Sequence, residues 1–279
     1  MRRQRNPVGV TSNSARWAAL IESGIFLVSG LPGLRQPPFE GLRFRSFSGG
    51  HPLANVVGAA RLPAPEVAET VVRVREYFKA QGQPFSWRVG PASEPPDLVE
   101  HLIAAGLRPA YTMRGMVMPE IMVPVPAPAP FLVRDAGPAD APALATLIEQ
   151  SYPTSSDMAS RLSALYLQPA AASLVRVVVA EAADHGGPVG VGVCYDVPGC
   201  PVTVLAGAAT LPAFRDRGVY LRLLAHRLGA ARRQGARSAV IQAVTDSSAP
   251  ICRRYGFIDL FEIQVFEWHP GRSSDDDGR

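Results

Sequence analysis

The stretch that decides the fold is Ala208-Ala-Thr-Leu-Pro-Ala-Phe-Arg-Asp-Arg-Gly-Val-Tyr-Leu-Arg-Leu-Leu224. Small and β-branched residues from Val202 to Thr210 read as a strand, Leu211 to Gly218 as a turn, and Val219 to Gln234 as a long helix. Within that helix Leu221, Leu224, Ala225, Leu228 and Ala231 recur at helical spacing, and Gly235 stops it. The turn places Arg215, Asp216, Arg217 and Gly218 immediately before the helix. Backbone N–H groups in a helix's first turn have no intrahelical partner and lie at the positive end of its macrodipole. Such an end suits a diphosphate; neighbouring arginines add charge-assisted hydrogen bonds, and a glycine admits close backbone approach. An ordinary turn with solvated arginines has the same composition, so local chemistry leaves both readings open.

Working outward, the C-terminal half is a regular alternation. Phe131 to Arg134 reads as a strand, Asp140 to Gln150 and Asp157 to Leu167 as helices. Strands at Leu174–Ala182 and Val189–Val197 precede the one ending at Thr210, with Gly186-Gly187 and Pro198-Gly199 as hairpin turns. After the long helix come a strand at Arg237–Ala243, a helix at Ser247–Arg254 and a strand at Ile258–Trp268. A meander running into βαβ units predicts the α/β class, with a mixed, twisted sheet flanked by helices.

The N-terminal half predicts a smaller α/β arrangement: a helix at Arg16–Ser23, then strands at Asn55–Leu62, Phe85–Val89 and Tyr111–Met118. Two further helices fall at Pro65–Ala80, with Val67, Val71, Val74 and Phe78 on one stripe, and at Asp97–Ala105. The turn after its first strand, Leu62-Pro-Ala-Pro65, is poor in free amides and unsuited to a phosphate. Between the halves, Val123-Pro-Val-Pro-Ala-Pro-Ala-Pro130 has proline at every second position. At ~3.1 Å per residue that run extends about 25 Å as a semi-rigid spacer, or else forms an edge loop of one domain. The expected division is 1–120, a connector at 121–130, a catalytic domain at 131–270, and an acidic, disordered tail at 271–279 containing Asp275-Asp276-Asp277.

Composition narrows the function classes. At roughly 150 residues per domain, 279 residues correspond to about two domains. Charged residues at 19% and hydrophobic residues at 47% fit a folded protein, and no apolar run reaches the ~18 residues of a bilayer span. Met1-Arg-Arg-Gln-Arg5 is followed by no apolar signal core, so the expected location is cytoplasmic, with no membrane partner. The net charge of +4 invites nucleic acid. However, Lys79 is the sole lysine and the arginines are dispersed without interleaved aromatics, so no nucleic-acid partner is expected. Cys194, Cys200 and Cys252 have neither metal nor disulfide spacing, and His51, His101, His185, His226 and His269 are scattered. No metal is expected.

Arg215-Asp-Arg-Gly-Val-Tyr220 resembles the phosphate loop of the GNAT superfamily of acyl-CoA-dependent N-acyltransferases, which reads [Q/R]-x-x-G-x-[G/A] after the fourth strand. It matches at Arg215 and Gly218 and departs at Tyr220, whose side chain would reshape the pyrophosphate pocket. Thr245-Asp-Ser-Ser-Ala-Pro-Ile-Cys-Arg-Arg-Tyr-Gly-Phe257 resembles the family's N-x-x-A-x-x-x-Y-x-x-x-G-F block. Anchored on Gly256-Phe257, Thr245 takes the Asn position, Ser248 the Ala position and Cys252 the Tyr position. The resemblance covers about Phe131 to Trp268, and the N-terminal half is similar to the degenerate partner of tandem GNAT proteins.

The resemblance implies an N-acetyltransferase with acetyl-CoA as cosubstrate and no metal. Its partners would be an unidentified primary amine of a small molecule or peptide, and a second copy of the chain in a homodimer. It implies cofactor contacts at Ala208, Ala209, Thr210, Arg215, Asp216, Arg217, Gly218, Val219, Tyr220 and Thr245, the first three through a disruption of strand pairing that frees an oxyanion donor. The departure of a thiolate, reference pKa about 8.5, makes a general acid helpful but dispensable. Cys252 and Tyr255 are the candidates for it, each with an alternative reading as a packing residue. Asp196 and Asp246, near strand ends, are the carboxylates considered as a base. The departures at Thr245 and Cys252 also admit an acyl-CoA-binding pseudoenzyme that acts as a sensor.

Overall fold

The computed structural model describes residues 11–47, 49–126, 130–152 and 154–271. The expectations for Met1–Arg5, for most of the acidic tail and for part of the proline-rich run lie outside the described residues. The N-terminal half comprises α1 (Thr11–Gly24), β1 (Arg43–Ser46), β2 (Asn55–Gly58), α2 (Val67–Lys79), β3 (Phe85–Val89), α3 (Leu98–Ala104) and β4 (Arg108–Met118). The C-terminal half comprises β5 (Phe131–Asp135), α4 (Ala141–Ser151), α5 (Ser156–Leu167), β6 (Val175–Ala182), β7 (Pro188–Asp196) and β8 (Val202–Thr210). It continues through α6 (Val219–Arg233), β9 (Ser238–Val244), α7 (Ser248–Arg254) and β10 (Ile258–Trp268).

Most elements fall where hydrophobic periodicity puts them. On α2 the residues Val67, Val71, Val74 and Phe78 are buried. Burying each such side chain fully is worth about 1.5–3 kcal/mol, which holds the helix to the sheet. Phe78 also stacks on Phe85 of β3 at 4.7 Å. Three elements differ from expectation. The strand from Asn55 ends at Gly58 rather than Leu62, because Ala59 turns the chain with a φ of 47°. The first helix begins at Thr11, ahead of the expected Arg16. The edge strand β1 was not anticipated; four residues are too few to show a period.

All ten strands belong to one sheet, ordered β1-β2-β3-β10-β4-β9-β8-β7-β6-β5. The last strand of the chain therefore lies inside the N-terminal half, antiparallel to β3 on one side and β4 on the other. The last strand of the N-terminal half lies in turn against β9. Each half thus completes the other's sheet. From β4 to β5 the chain must cross five strand spacings, about 24 Å at ~4.8 Å each. The proline-rich run of the sequence is long enough for that distance at ~3.1 Å per residue.

Alternation along the exchanged strands sorts the residues by face. Phe44, Trp87 and Phe266 pack with α2 and α3 in one core, and Met113, Val117, Ile263 and Val265 pack in another that includes residues of α4 and α5. A third core lies beneath α6 and α7, built from Met118, Leu224, Leu228, Ile241, Cys252 and Phe257.

The exchange predicts interdependence. Residues 1–126 or 130–279 expressed alone would leave β3, β4, β9 or β10 without a partner edge, an open template for aggregation. Neither fragment should give a cooperative thermal transition by circular dichroism, whereas co-expression should restore one. A C-terminal fragment that melts cooperatively by itself would overturn this.

Candidate active site

The site begins with a splay between parallel strands. β8 and β9 pair from Val202↔Ser238 to Leu205↔Ile241, and beyond that point no pairing joins them. On its other edge β8 loses register with β7: Cys194 faces Leu205 and Gly192 faces Ala208, so Ala206 and Gly207 bulge opposite Val193. Strand pairing was expected to fail at Ala208-Ala209-Thr210. On the β9 edge these three have no ladder partner; on the β7 edge the bulge falls just before them, and they pair with Gly192, Val191 and Gly190. Tyr152 fixes this segment by donating to the Ala208 carbonyl at 2.7 Å. From the α6 side, Arg227 donates to the Val193 carbonyl through Nη1 and to the Leu223 carbonyl through Nε, both at 3.2 Å. The Arg227 guanidinium fits because residue 192 is glycine: a Cβ there would lie 2.8 Å from Arg227 Nε.

At the mouth of the splay lies the arginine turn. Pro212–Phe214 forms a 3-10 turn, Arg215 is extended, and Asp216 and Gly218 take φ values of 59° and 83°. Successive amides in such alternating conformations make an anion-binding concavity. No side chain caps α6, so its first-turn N–H groups remain open. Arg215, Asp216 and Arg217 are exposed. Arg217 lies over the rings of Phe214 and Phe131 at 4.8 and 5.7 Å, and Arg215 reaches the Thr210 carbonyl through Nε at 3.4 Å. Val219 is buried under the turn.

Inward from the splay is a cavity of about 470 Å³. One wall is the bulged strand, Ala206 to Ala208, and another is Tyr152, Met158 and Tyr166 from the α4–α5 region. Ile241, Val244, Ser248 and Tyr220 close the cofactor side, and the far wall, supplied by the N-terminal half and β10, holds Arg45, His51, Arg88, Tyr111 and Glu267. The chamber is therefore composite. His51 accepts from the Leu53 amide through Nδ1 at 3.1 Å, and burial pushes its imidazole below the usual range, which favours the neutral form. Tyr152 is pushed up to about 12, first by burial.

The catalytic candidates separate in space. Cys252 is fully buried in the core under α7 and does not border the cavity; burial also pushes its thiol up. Its Sγ lies 3.5 Å from the Tyr220 hydroxyl, and Tyr220 does border the cavity, its own phenol raised chiefly by burial. Tyr255 is half-buried, with Arg254 over its ring at 5.8 Å. Thr245 lies at the end of β9 with its hydroxyl 2.9 Å from that of Thr112. Asp196 pairs with Thr203 at the opposite end of β7, and Asp246 is exposed; neither borders the cavity.

Sequence reasoning passed over Arg45, Arg88, Glu267 and Arg227, and read Tyr220 only as part of the phosphate loop. A signal was present: Phe44-Arg45, Trp87-Arg88 and Phe266-Glu267 each alternate a committed core aromatic with a charge, and in a strand that sends the charge to the other face. Among the described residues no group of three or more His, Cys, Asp or Glu side chains is gathered as a metal site, and no helix is long and apolar enough to cross a membrane.

Residues 142–257 match the family model described as the acetyltransferase (GNAT) family. The chain is similar in structure to a GCN5-related N-acetyltransferase from Kribbella flavida, with a TM-score of 0.64, 21% identity, and 93% of this chain and 96% of that one covered. It is similar also to a GCN5-related N-acetyltransferase from Sphaerobacter thermophilus, with a TM-score of 0.59, 16% identity, and 83% and 78% covered. A tandem GNAT protein from the clavulanic acid biosynthesis pathway gives a TM-score of 0.56 at 12% identity over 95% and 97% of the two chains. No curated protein matches the sequence. The fold is that of these N-acetyltransferases. Residues 142–257 thus carry the match to the acetyltransferase (GNAT) family model, and the GNAT-like fold extends over the N-terminal half as well.

The sequence gives Gly218 a role in close backbone approach to a phosphate. The structure adds a conformational reason: a Cβ would meet nothing within 4 Å, but the φ of 83° disfavours any side chain by about 1–2 kcal/mol. Gly218→Ala should therefore lower the melting temperature by a few degrees. Gly218→Glu should do the same and also weaken acetyl-CoA at least tenfold in calorimetry, through like-charge repulsion. Equal acetyl-CoA affinity for the wild type and Gly218→Glu would mean that the diphosphate lies elsewhere.

Proposed function

We propose that the protein transfers the acetyl group of acetyl-CoA to a primary amine of a small molecule or peptide by direct attack. The observation that carries this reading is the bulge at Ala206–Gly207, which lies between an open helix N-terminus and a chamber. The diphosphate would rest on the amides from Asp216 to Tyr220 with Arg215 and Arg217 beside it, and the pantetheine arm would follow the unpaired edge of β8 past Ala208, Ala209 and Thr210 toward Thr245. The thioester carbonyl would then meet amides freed by the bulge, preorganised for the developing oxyanion. The chamber beyond gives an amine room to attack, which an acyl-CoA sensor would not require.

Proton traffic follows from the same geometry. The amine must lose its proton before attack, and the leaving sulfur gains one or departs as thiolate. Tyr220 stands between Cys252 and the cavity, so it is placed to donate, with the Cys252 thiol behind it. Tyr255 has a place in this scheme only through packing of α7.

The test is thiol release from acetyl-CoA over an amine panel, alongside calorimetric binding of acetyl-CoA. Binding with no turnover on any amine would sink the enzyme reading. Because burial pushes both Tyr220 and Cys252 upward, each keeps its proton through neutral pH. The rate should accordingly rise between pH 7 and 9 as the acceptor loses its proton, with no falling limb from either donor. Cys252→Ala should retain activity within about tenfold, a barrier change near 1.4 kcal/mol, and Tyr220→Phe should cost more. A thousandfold loss in Cys252→Ala with acetyl-CoA affinity intact would reveal an acyl-cysteine route instead, visible as burst kinetics.

A further inference from the structure

Two guanidinium groups border the acceptor chamber without a carboxylate partner. Arg45 projects from β1 and is 91% buried by the measure of its 9% exposure. Its Nη1 donates to the Tyr166 hydroxyl at 3.2 Å and its Nη2 to the Leu53 carbonyl at 2.9 Å, while its Nε is buried without any partner. Arg88 projects from β3, with Nη1 donating to Gln242 Oε1 at 2.5 Å and Nε likewise buried without a partner. Gln242 is itself held, donating through Nε2 to the Ile21 carbonyl at 2.7 Å. Among the described residues, no carboxylate oxygen lies within ion-pair distance of either guanidinium. Glu267, the carboxylate on the chamber wall, is 3.1 Å from His269 Nε2 instead.

Burying a charge without an opposite charge is costly, and two such charges on one chamber compound the cost. Burial is deep enough to push the Arg88 guanidinium down to about 10, with the neighbouring Arg45 acting in the same direction. Among the described residues the offset comes from neighbouring tyrosines, Tyr111 foremost for Arg88 and Tyr166 for Arg45, and not from a carboxylate. Leu144, Ile148, Met158, Val191 and Met113 add an apolar surface to the chamber, beside the polar groups of His51, Tyr111, Tyr152 and Tyr166.

Resting on the acyl-transfer reading, we propose that the acceptor is an amine that carries a carboxylate, an amino acid with an apolar side chain. Its carboxylate is held by Arg88, with Arg45 adding charge from behind. Counting Arg45, Arg88 and Glu267, the chamber has one positive charge in excess, which one carboxylate neutralises. The same excess disfavours the ammonium form of the acceptor, so the group that binds the substrate also favours the free amine that must attack. The arginine fork suits the two oxygens of a carboxylate.

The test uses the full-length protein and two kinds of probe. Thiol release from acetyl-CoA is compared for L-phenylalanine against 2-phenylethylamine, and for L-leucine against 3-methylbutylamine. Binding of 3-phenylpropanoate against 3-phenylpropanamide is measured by calorimetry, which needs no turnover. The expected result is at least a hundredfold preference in kcat/KM for the amino acid of each pair, and at least tenfold tighter binding of the carboxylate than the amide. In Arg88→Gln both preferences should fall below about threefold, with the KM for acetyl-CoA unchanged; Arg88→Lys should restore part of them and guards against a folding defect. Equal handling of acid and decarboxylated amine by the wild type, or discrimination surviving in Arg88→Gln, would overturn the proposal. Arg88-dependent carboxylate binding without any turnover would refute the acyl-transfer reading and leave the anion site standing. Turnover of simple amines without discrimination would do the reverse.

Discussion

The pairing of β4 with β10 is the constraint on which the rest of the molecule depends. Two eleven-residue strands, one from each half, lie side by side at the centre of the sheet, and each forms its other ladder with a strand of the opposite half. A backbone ladder of this length cannot slip by one residue without turning every side chain to the wrong face. The register therefore fixes which N-terminal residues look into the C-terminal cleft. Val265 sits opposite Arg88, and Glu267 opposite Arg108, so Arg88 and Glu267 share a face by the period of two while Trp87 and Phe266 are committed to the core beneath α2. An N-terminal half with no phosphate turn of its own thereby furnishes one wall of the chamber.

The second constraint is local and lies in β8. A parallel pair that parts after Leu205 and a bulge at the next two residues give one strand two free stretches of backbone, facing different neighbours. Such a distortion persists only if its loose groups are satisfied elsewhere. Tyr152 takes the Ala208 carbonyl of β8 and Arg227 takes that of Val193, the β7 residue opposite the bulge, so a phenol and a buried guanidinium brace the distorted pair. Arg227 has a price in composition, since Gly192 must stay small beneath it. Its charge also tempers the rise of the Cys194 and Cys252 thiols, although burial dominates both.

What the sequence revealed follows the range of the interactions involved. Periodicity reports on contacts within an element, and α2, α6 and the strands from β6 to β9 fall within a residue or two of their expected limits. The arginine turn was legible because its chemistry is written in consecutive residues, Arg215 to Gly218. The insertion of β10 between β3 and β4 was not, since strand order depends on pairings between residues more than a hundred positions apart. The chamber residues were hidden for the same reason. Arg45, Arg88 and Glu267 come from three separate strands, and only the exchanged sheet brings them to one cavity. Tyr220 was legible as a departure from the phosphate-loop pattern; that its hydroxyl reaches Cys252 required the packing of α6 against α7.

The two cationic ends of the site work in different dielectric surroundings, and that difference divides their tasks. Arg215 and Arg217 are exposed beside a helix terminus, so their attraction for a diphosphate is long-ranged but screened by salt, suited to capturing a large, highly charged cofactor from solution. Arg45 is buried and Arg88 half-buried at the chamber wall, beside apolar side chains, where water and counterions screen the field less. There a single charge discriminates strongly between ligands of similar shape, because a neutral isostere leaves the guanidinium uncompensated. The exposed pair accordingly governs recruitment and the pair on the chamber wall selection. The bulge at Ala206–Gly207 lies between them, where donor and acceptor must meet.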